Sequence, residues 1–398
     1  MATPAPRTRL NAQLPPDRSG QSARGFWERV TEGLELAELW NQFKTEAETG
    51  YRLYSQEIKT DDQTFATHGQ RIKYVLKSLF WAILSKLSPA RRIVLLFAVV
   101  LLVIGFEFRF GEVMVQSSTT RLIAGLLLLG LLLMEVADRV TLKRDLQIAR
   151  EIQLWLVPET APDIPGLDVA FYNRPANTVA GDFYDVFYRN GCDGADSPVL
   201  LTVADVAGKS LPAALLMATF QASLHTLSAQ TTSLVELTEG LNRYACEHSR
   251  GGQRFTTAFL AEYAPSTGAL TYINAGHNAP MLLRASSVDG AAGVGKLERL
   301  DVGGLPLGIV PLAPYASGSV SLDPGDTLFI FTDGLVEAVN AGGQEYGDER
   351  LIAAVTGNRQ RKAPDMLNGI VRALDIFVGT TPQHDDITCL IVRRAAAD

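Results

Sequence analysis

Apolar positions along this chain follow three different periods. Two runs, residues 93–106 and 122–134, are apolar around the whole helical circumference, a pattern that suits lipid better than a half-exposed helix. Each run alone falls short of the 18 or so residues that indicate a spanning helix. Extending the first to Phe110 admits only Glu107 and Arg109 near its end, where charged side chains snorkel to an interface; extending the second to Ala137 admits only Glu135. The pattern predicts a two-helix transmembrane hairpin over 91–137, with helices at about 91–110 and 119–137; a buried helical hairpin in a soluble core is the alternative.

Residues 138–157 continue the second span with no breaker before Pro158 and predict a helical linker. Ile148, Ile152 and Trp155 form one stripe on it, spaced to pair with another copy of the chain, or to pack on the chain's own domain. Upstream, residues 1–25 read as a disordered tail, without the basic and apolar blocks of a signal peptide. Residues 26–90 carry helical spacing, which predicts a helical cytoplasmic region.

From 158 to 398 the pattern shifts to short β-like runs bounded by Gly, Asp and Asn: 167–172, 199–203, 257–263, 269–273, 327–331 and 387–392. Pro265-Ser266-Thr267-Gly268 and Asp323-Pro324-Gly325 suggest hairpin turns. Helical patterns occupy 211–228, 234–247 and 364–378, so the class is α+β with mainly antiparallel sheets.

Charge separates the same two parts. Of the 36 basic and 43 acidic residues, 16 and 27 lie in 158–398, leaving that region at −11 and residues 1–157 at +4. Overall acidity argues against nucleic acid as a partner. Basic residues flank both apolar runs on their outer sides (Arg71, Lys73, Lys77, Lys86, Arg91, Arg92; then Arg139, Lys143, Arg144, Arg150), which places both termini and the C-terminal domain in the cytoplasm of a multi-pass cell-membrane protein. Three cysteines, none in a C-x-x-C pair, suit a reducing compartment and argue against a disulfide framework or a thiolate zinc site.

The chemistry lies in the aspartates. Asp182 sits in Gly181-Asp182-Phe183-Tyr184-Asp185, Asp205 ends an apolar strand, Asp333 follows the apolar run 327–331, and Asp385 and Asp386 precede another. Any one of these is explained as a turn former; together, carboxylates converging at strand ends repel one another unless a cation lies between them. Oxygen-only ligation suits Mg²⁺ or Mn²⁺. A carboxylate-held metal pair lowers the pKa of a bound water and clamps phosphoryl oxygens, and no protein nucleophile motif competes with that reading. His277 suits a structural hydrogen bond; His384 suits proton transfer or orientation of the Asp385 loop.

These residues resemble the PPM-type, or protein phosphatase 2C-like, metal-dependent serine/threonine phosphatases in their bacterial SpoIIE/RsbU-like branch. The resemblance runs from about Gln147 to Arg394, through Gln147-Ile148-Ala149-Arg150-Glu151-Ile152-Gln153, the Asp182 motif and Asp205-Val206-Ala207-Gly208-Lys209-Ser210. It continues through Asn274-Ala275-Gly276-His277-Asn278, Gly304-Leu305-Pro306-Leu307-Gly308, Thr332-Asp333-Gly334 and Asp385-Asp386-Ile387-Thr388. It implies an αββα sandwich with two Mn²⁺ or Mg²⁺ ions at one edge and attack by a metal-bridging hydroxide on phosphoserine or phosphothreonine. Asp182 matches the carboxylate shared by both metals, Asp205 with the Val206 carbonyl matches the ligands of one, and Asp333 with Asp385 those of the other. Asp386, His384 and Gly181 match surrounding positions, and Arg174 is a candidate phosphate binder, with a surface ion pair as its other role. Ala180 and Ser210 stand where the family usually has glycine. The resemblance further implies a phosphorylated anti-sigma-factor antagonist as substrate and regulation through the helix preceding the domain. A silent partner-binding scaffold and a hydrolase of small phosphoesters are the competing readings.

Overall fold

A computed structural model describes residues 81, 84–85, 87–104, 108–110, 113–115, 117–189, 197–248, 254–285 and 296–395. The expectations for residues 1–25 and for all but the last few of 26–90 lie outside the described residues. The chain divides into two compact units, Met1–Val136 and Ala137–Asp398.

In the first unit, α1 (Pro89–Ile104) opens with proline at a position where no helical N–H is needed. The Arg92 guanidinium donates to the carbonyls of Leu87 and Ser85 at 2.7 and 2.6 Å. The expected first span does not continue as helix to 110. Instead β1 (Phe108–Phe110) pairs antiparallel with β2 (Val113–Val115). The alternation of Phe106, Phe108 and Phe110 with Glu107 and Arg109 has the period of a strand, and Phe and Val are strand formers. α2 (Ser117–Leu154) then runs for 38 residues, about 57 Å at helical rise. It alone among the described helices is long and apolar enough to cross a membrane. Glu135, the one charge in the second apolar stretch, lies 3.7 Å from Arg91 of α1. The helix stops at Leu154, three residues short of the expected 157. Trp155 and Leu156 close with i→i−3 bonds to Ile152 and Gln153, as the approach to Pro158 disfavours α geometry.

In the second unit, β3 (Leu167–Arg174), β4 (Phe183–Tyr188) and β5 (Val199–Val206) lead to α3 (Leu211–Ser228) and α4 (Leu234–His248). Then follow β6 (Thr256–Ala264), β7 (Ala269–Ala275), β8 (Met281–Leu283), β9 (Leu297–Arg299), β10 (Gly303–Gly304), β11 (Gly318–Ser321) and β12 (Thr327–Phe331). The chain closes with α5 (Asp333–Val336), α6 (Gly347–Gly357), α7 (Ala363–Val378) and β13 (Ile387–Arg394). One sheet has the order β10-β7-β6-β5-β4, with β11 also on β7; the other has β3-β13-β12-β8-β9.

Side-chain alternation assembles the layers. Leu201 and Val203 point into a core shared with Leu328, Ile330, Leu390 and Val392 of the other sheet. Their neighbours Leu200 and Ala204 pack outward on α3 and α4 through Met217, Leu224, Leu237 and Leu241. Phe329, Phe331 and Ile391 pack outward on α6 and α7 through Leu351, Val355, Ile370 and Leu374. Strands buried on both faces explain the uninterrupted apolar runs, and the result is the αββα sandwich. Pro265–Gly268 does join the antiparallel pair β6 and β7. Asp323-Pro324-Gly325 does not make a hairpin: it carries the chain from β11 in one sheet to β12 in the other. The buried Asp326 carboxylate explains the crossing, accepting the N–H groups of Ala285 (2.7 Å) and Asp323 (3.0 Å) and pairing with Arg284 at 2.8 Å.

Candidate metal centre

Strand register brings the aspartates to one end of the sandwich. In the β4–β5 ladder Phe183 faces Ala204, so one step outward sets Asp182 beside Asp205. In the β12–β13 ladder Phe331 faces Cys389, and Thr332 N–H donates to the Thr388 carbonyl at 3.0 Å. Asp333 therefore leaves β12 next to Asp385 and Asp386, which enter β13. β13 packs against β3 over its whole length, from Ile387↔Arg174 to Arg394↔Leu167.

Electrostatics records the crowding. Burial, then the Asp205 charge, pushes the Asp182 carboxyl well above the usual carboxylate range. Asp205 is pushed up to about 7 by burial and by Asp333 and Asp385. Asp333 is raised by burial and by Asp385, and Asp386 chiefly by burial. Asp182, Asp386 and Asp385 each have a partner within the protein. Thr332 Oγ1 donates to Asp182 Oδ2 at 2.9 Å and accepts from Thr388 N–H at 3.0 Å. Asp386 accepts from Ala176 N–H (2.7 Å) and Gly181 N–H (2.6 Å). Lys209 Nζ stands 2.9 Å from Asp385 Oδ2 and donates to the His384 carbonyl at 2.7 Å.

In these conformations no three His, Cys, Asp or Glu side chains among the described residues stand close enough to cage an ion. Lys209, more than half exposed, supplies the positive charge at Asp385. The donor chemistry nonetheless fits a hard divalent cation. The groups are all oxygen, they share one end of the sandwich, and each raises its neighbours' affinity for positive charge. Two backbone approaches keep this end closed. A Cβ at Gly181 would sit 3.2 Å from the Val206 carbonyl oxygen, and one at Gly334 would strike the Asp386 carbonyl.

The remaining expected residues divide. Arg174 pairs with Asp375 at 2.6 Å, the ion-pair role open to it, and also lines a pocket of about 120 Å³ with Lys209, His384 and Asp385. His384 is exposed there. His277 is buried: its Nδ1 meets Thr257 Oγ1 at 3.1 Å, and its N–H donates to Asn274 Oδ1 at 2.7 Å. Ile148 and Ile152 on α2, and Trp155 just past its end, are exposed. Sequence reasoning assigned no role to Thr332 or Lys209, although both lie inside quoted motifs. It also missed Gln153, whose amide pairs with the backbone of Ala180.

A two-sheet sandwich with strand-end aspartates at one edge and a helical layer on each outer face defines the PPM, or PP2C-like, class of phosphatase domain. Residues 195–395 match the family described as Stage II sporulation protein E (SpoIIE), and the chain belongs to that family. It is 27% identical over 291 residues to Protein IcfG of Synechocystis sp., covering 66% of this chain and 43% of IcfG. It is 27% identical over 256 residues to phosphoserine phosphatase RsbU of Bacillus subtilis, covering 64% of this chain and 71% of RsbU. The chain thus spans less than half the length of the first of these relatives. The fold is similar to the SiaA-PP2C domain of Pseudomonas aeruginosa, with a TM-score of 0.55, 22% identity, and coverage of 65% of this chain and 98% of that domain.

Proposed function

We propose that this chain is a membrane-anchored, metal-dependent serine/threonine protein phosphatase that dephosphorylates a signalling protein of the anti-sigma-factor antagonist type. The observation that carries the reading is the convergence of Asp182, Asp205, Asp333, Asp385 and Asp386 at one end of both sheets. Asp182 would lie between two Mn²⁺ or Mg²⁺ ions, Asp205 and the Val206 carbonyl on one side, Asp333 and Asp385 on the other. Such ions supply a water of lowered pKa and neutralise charge on phosphoryl oxygens. Thr332 orients Asp182 through its hydroxyl, and Asp386 holds the loop bearing Asp182 through two backbone N–H groups. Lys209 and Arg174, both on the neighbouring pocket, provide positive charge toward a phosphate. RsbU, a phosphoserine phosphatase by name, is the relative that supports the substrate class.

The anchoring part of the proposal rests on α2 and on the exposed apolar surfaces of α1 and α2, including Ile93, Leu122, Leu126 and Leu132. With α1 as a second crossing, both termini lie on the cytoplasmic side. Pairing with a second copy through Ile148, Ile152 and the largely exposed Trp155 fits a helix with an unpartnered apolar stripe.

The test is an assay of the full chain in detergent with Mn²⁺, comparing a serine-phosphorylated protein domain with p-nitrophenyl phosphate, and Asp333→Asn as control. The proposal expects turnover of both substrates, lost at least 100-fold in the variant. Inactivity on both would leave the scaffold reading; activity on the small ester alone would leave the small-phosphoester hydrolase.

A further inference from the structure

The segment joining β10 to β11 carries apolar side chains that the fold does not bury. Between Asp301 and Asp323 the sequence holds no charged residue. Val302, Leu305, Ile309, Val310 and Leu312 are nevertheless exposed, Leu305 by 50% and Leu312 by 88%. Hydrogen bonds hold the backbone beneath them. Thr256 of β6 and Leu307 exchange both N–H···O=C bonds, at 2.9 and 2.8 Å. The buried Asn242 of α4 accepts from Gly308 N–H at 3.0 Å and donates to the Val310 carbonyl at 2.8 Å, and Ala316 N–H donates to the Gly303 carbonyl at 3.1 Å. A loop tied down in this way presents its apolar side chains with little backbone freedom left to lose on contact, as a docking surface requires.

The same bonds set where the segment lies. Val206 faces Thr256 across the β5–β6 ladder, so Leu307 stands two strand spacings, ~10 Å, from the residue whose carbonyl is assigned to the metal. Phe255, also exposed, lies on the way: its carbonyl accepts from Ala207 N–H at 2.9 Å, and its Cα is 3.6 Å from where a Cβ on Gly308 would stand. A domain of about 100 residues has a radius of gyration of roughly 13 Å, so one whose phosphoserine reaches the aspartates has its neighbouring surface within reach of this segment. Charge points to the same occupant. Residues 158–398 carry −11 and repel a phosphorylated partner at long range, so affinity has to come from contact on an uncharged face. The segment also lacks the basic residues that hold a protein to an anionic lipid surface.

We propose that Phe255 and residues 302–312 form the docking surface for a folded phosphoprotein substrate, gripping apolar side chains beside its phosphoserine while the aspartate end acts on the phosphate. The inference rests on the phosphatase reading and adds a substrate contact to it.

The experiment measures kcat and KM of the full chain in detergent with Mn²⁺ on three substrates: a folded anti-sigma-factor antagonist domain phosphorylated on serine, the phosphoserine peptide excised from that domain, and p-nitrophenyl phosphate. Wild type is compared with Leu305→Ser and the double variant Ile309→Ser/Leu312→Ser, whose side chains are exposed, and light scattering gives the mass of each. The double variant is expected to raise KM for the folded domain about tenfold and Leu305→Ser about threefold, with kcat unchanged, as the loss of partly buried aliphatic contacts would. KM for the peptide and for p-nitrophenyl phosphate is expected to stay at the wild-type value. A KM for the folded domain within twofold of wild type in both variants, or a wild type that turns over the folded domain no better than the peptide, would overturn the docking surface and leave the phosphatase reading standing. An equal loss on all three substrates would overturn it as well, placing the effect at the reacting end. A double variant of lower mass with an unchanged KM would assign the segment to a second copy of the chain instead. A wild type inactive on all three would overturn the phosphatase reading and this inference with it.

Discussion

At the scale of single residues, Ser210 shows why a family glycine matters. It follows Lys209 at the entrance to α3 with φ of 63° and ψ of −150°, a region that residues with a Cβ avoid, and its side chain makes no cap hydrogen bond. Ser210→Gly should therefore raise stability by ~1 kcal/mol, seen as a higher melting temperature, since the glycine adopts this backbone without strain. His277 gives a pH prediction. Burial holds its imidazole down at about 4, below the ordinary value of 6.5, so the folded state stays neutral while the unfolded state takes up a proton. Stability is fully present above pH 6.5 and is lost as pH falls from there toward 4, by up to ~3 kcal/mol. Urea unfolding at pH 7.5 and pH 5 should register the loss, and His277→Gln, which cannot be protonated, should flatten that part of the profile.

At the scale of elements, α3 is fixed at its C-terminal end by a group far away in sequence. The nearly inaccessible Arg189 donates through Nε to the Ser228 carbonyl at 3.2 Å and through Nη2 to the Thr231 carbonyl at 2.8 Å, and it pairs with Glu262 of β6. The Ser228 carbonyl is one that the helix cannot satisfy itself, and Thr231 lies in the turn that follows. Arg189→Met leaves both carbonyls and Glu262 uncompensated and should cost ~3 kcal/mol in denaturant unfolding. No sequence pattern announces this contact, which joins residues 39 and 73 positions apart. What was legible were elements whose period is set by burial. β12 lies at 327–331 and α3 at 211–228 as the apolar spacing predicts. β4 was hidden because its residues, Phe183-Tyr184-Asp185-Val186-Phe187-Tyr188, carry a buried aspartate whose partner, His225 at 2.7 Å, comes from α3. The strands β8 to β11 are two to four residues long, too short for a period to show. The site follows the same rule. Aspartates beside apolar runs stand out because polarity changes abruptly there, whereas Thr332 and Gln153 act through hydrogen bonds that depend on which elements become neighbours.

At the scale of the whole molecule, the −11 of residues 158–398 is distributed to a purpose. Several of those charges stand together with Asp205 raised to about 7, so the fold stores repulsion at one end of the sandwich. Lys209 offsets only part of it, because its ammonium is more than half exposed and its attraction for Asp385 is screened by solvent. A divalent cation that binds the folded chain and not the unfolded one stabilises by mass action, ~2.7 kcal/mol at a hundredfold excess over its dissociation constant. The full chain in detergent should therefore melt several degrees higher in saturating Mn²⁺ than in EDTA, and Asp333→Asn should abolish most of the difference. The increment should also depend on pH in a fixed direction. Below pH 7 the Asp205 carboxyl increasingly holds a proton that a cation must displace, so the Mn²⁺ increment should be larger at pH 8 than at pH 5.5. An equal increment at both values would mean that the cation stabilises the chain somewhere other than at Asp205.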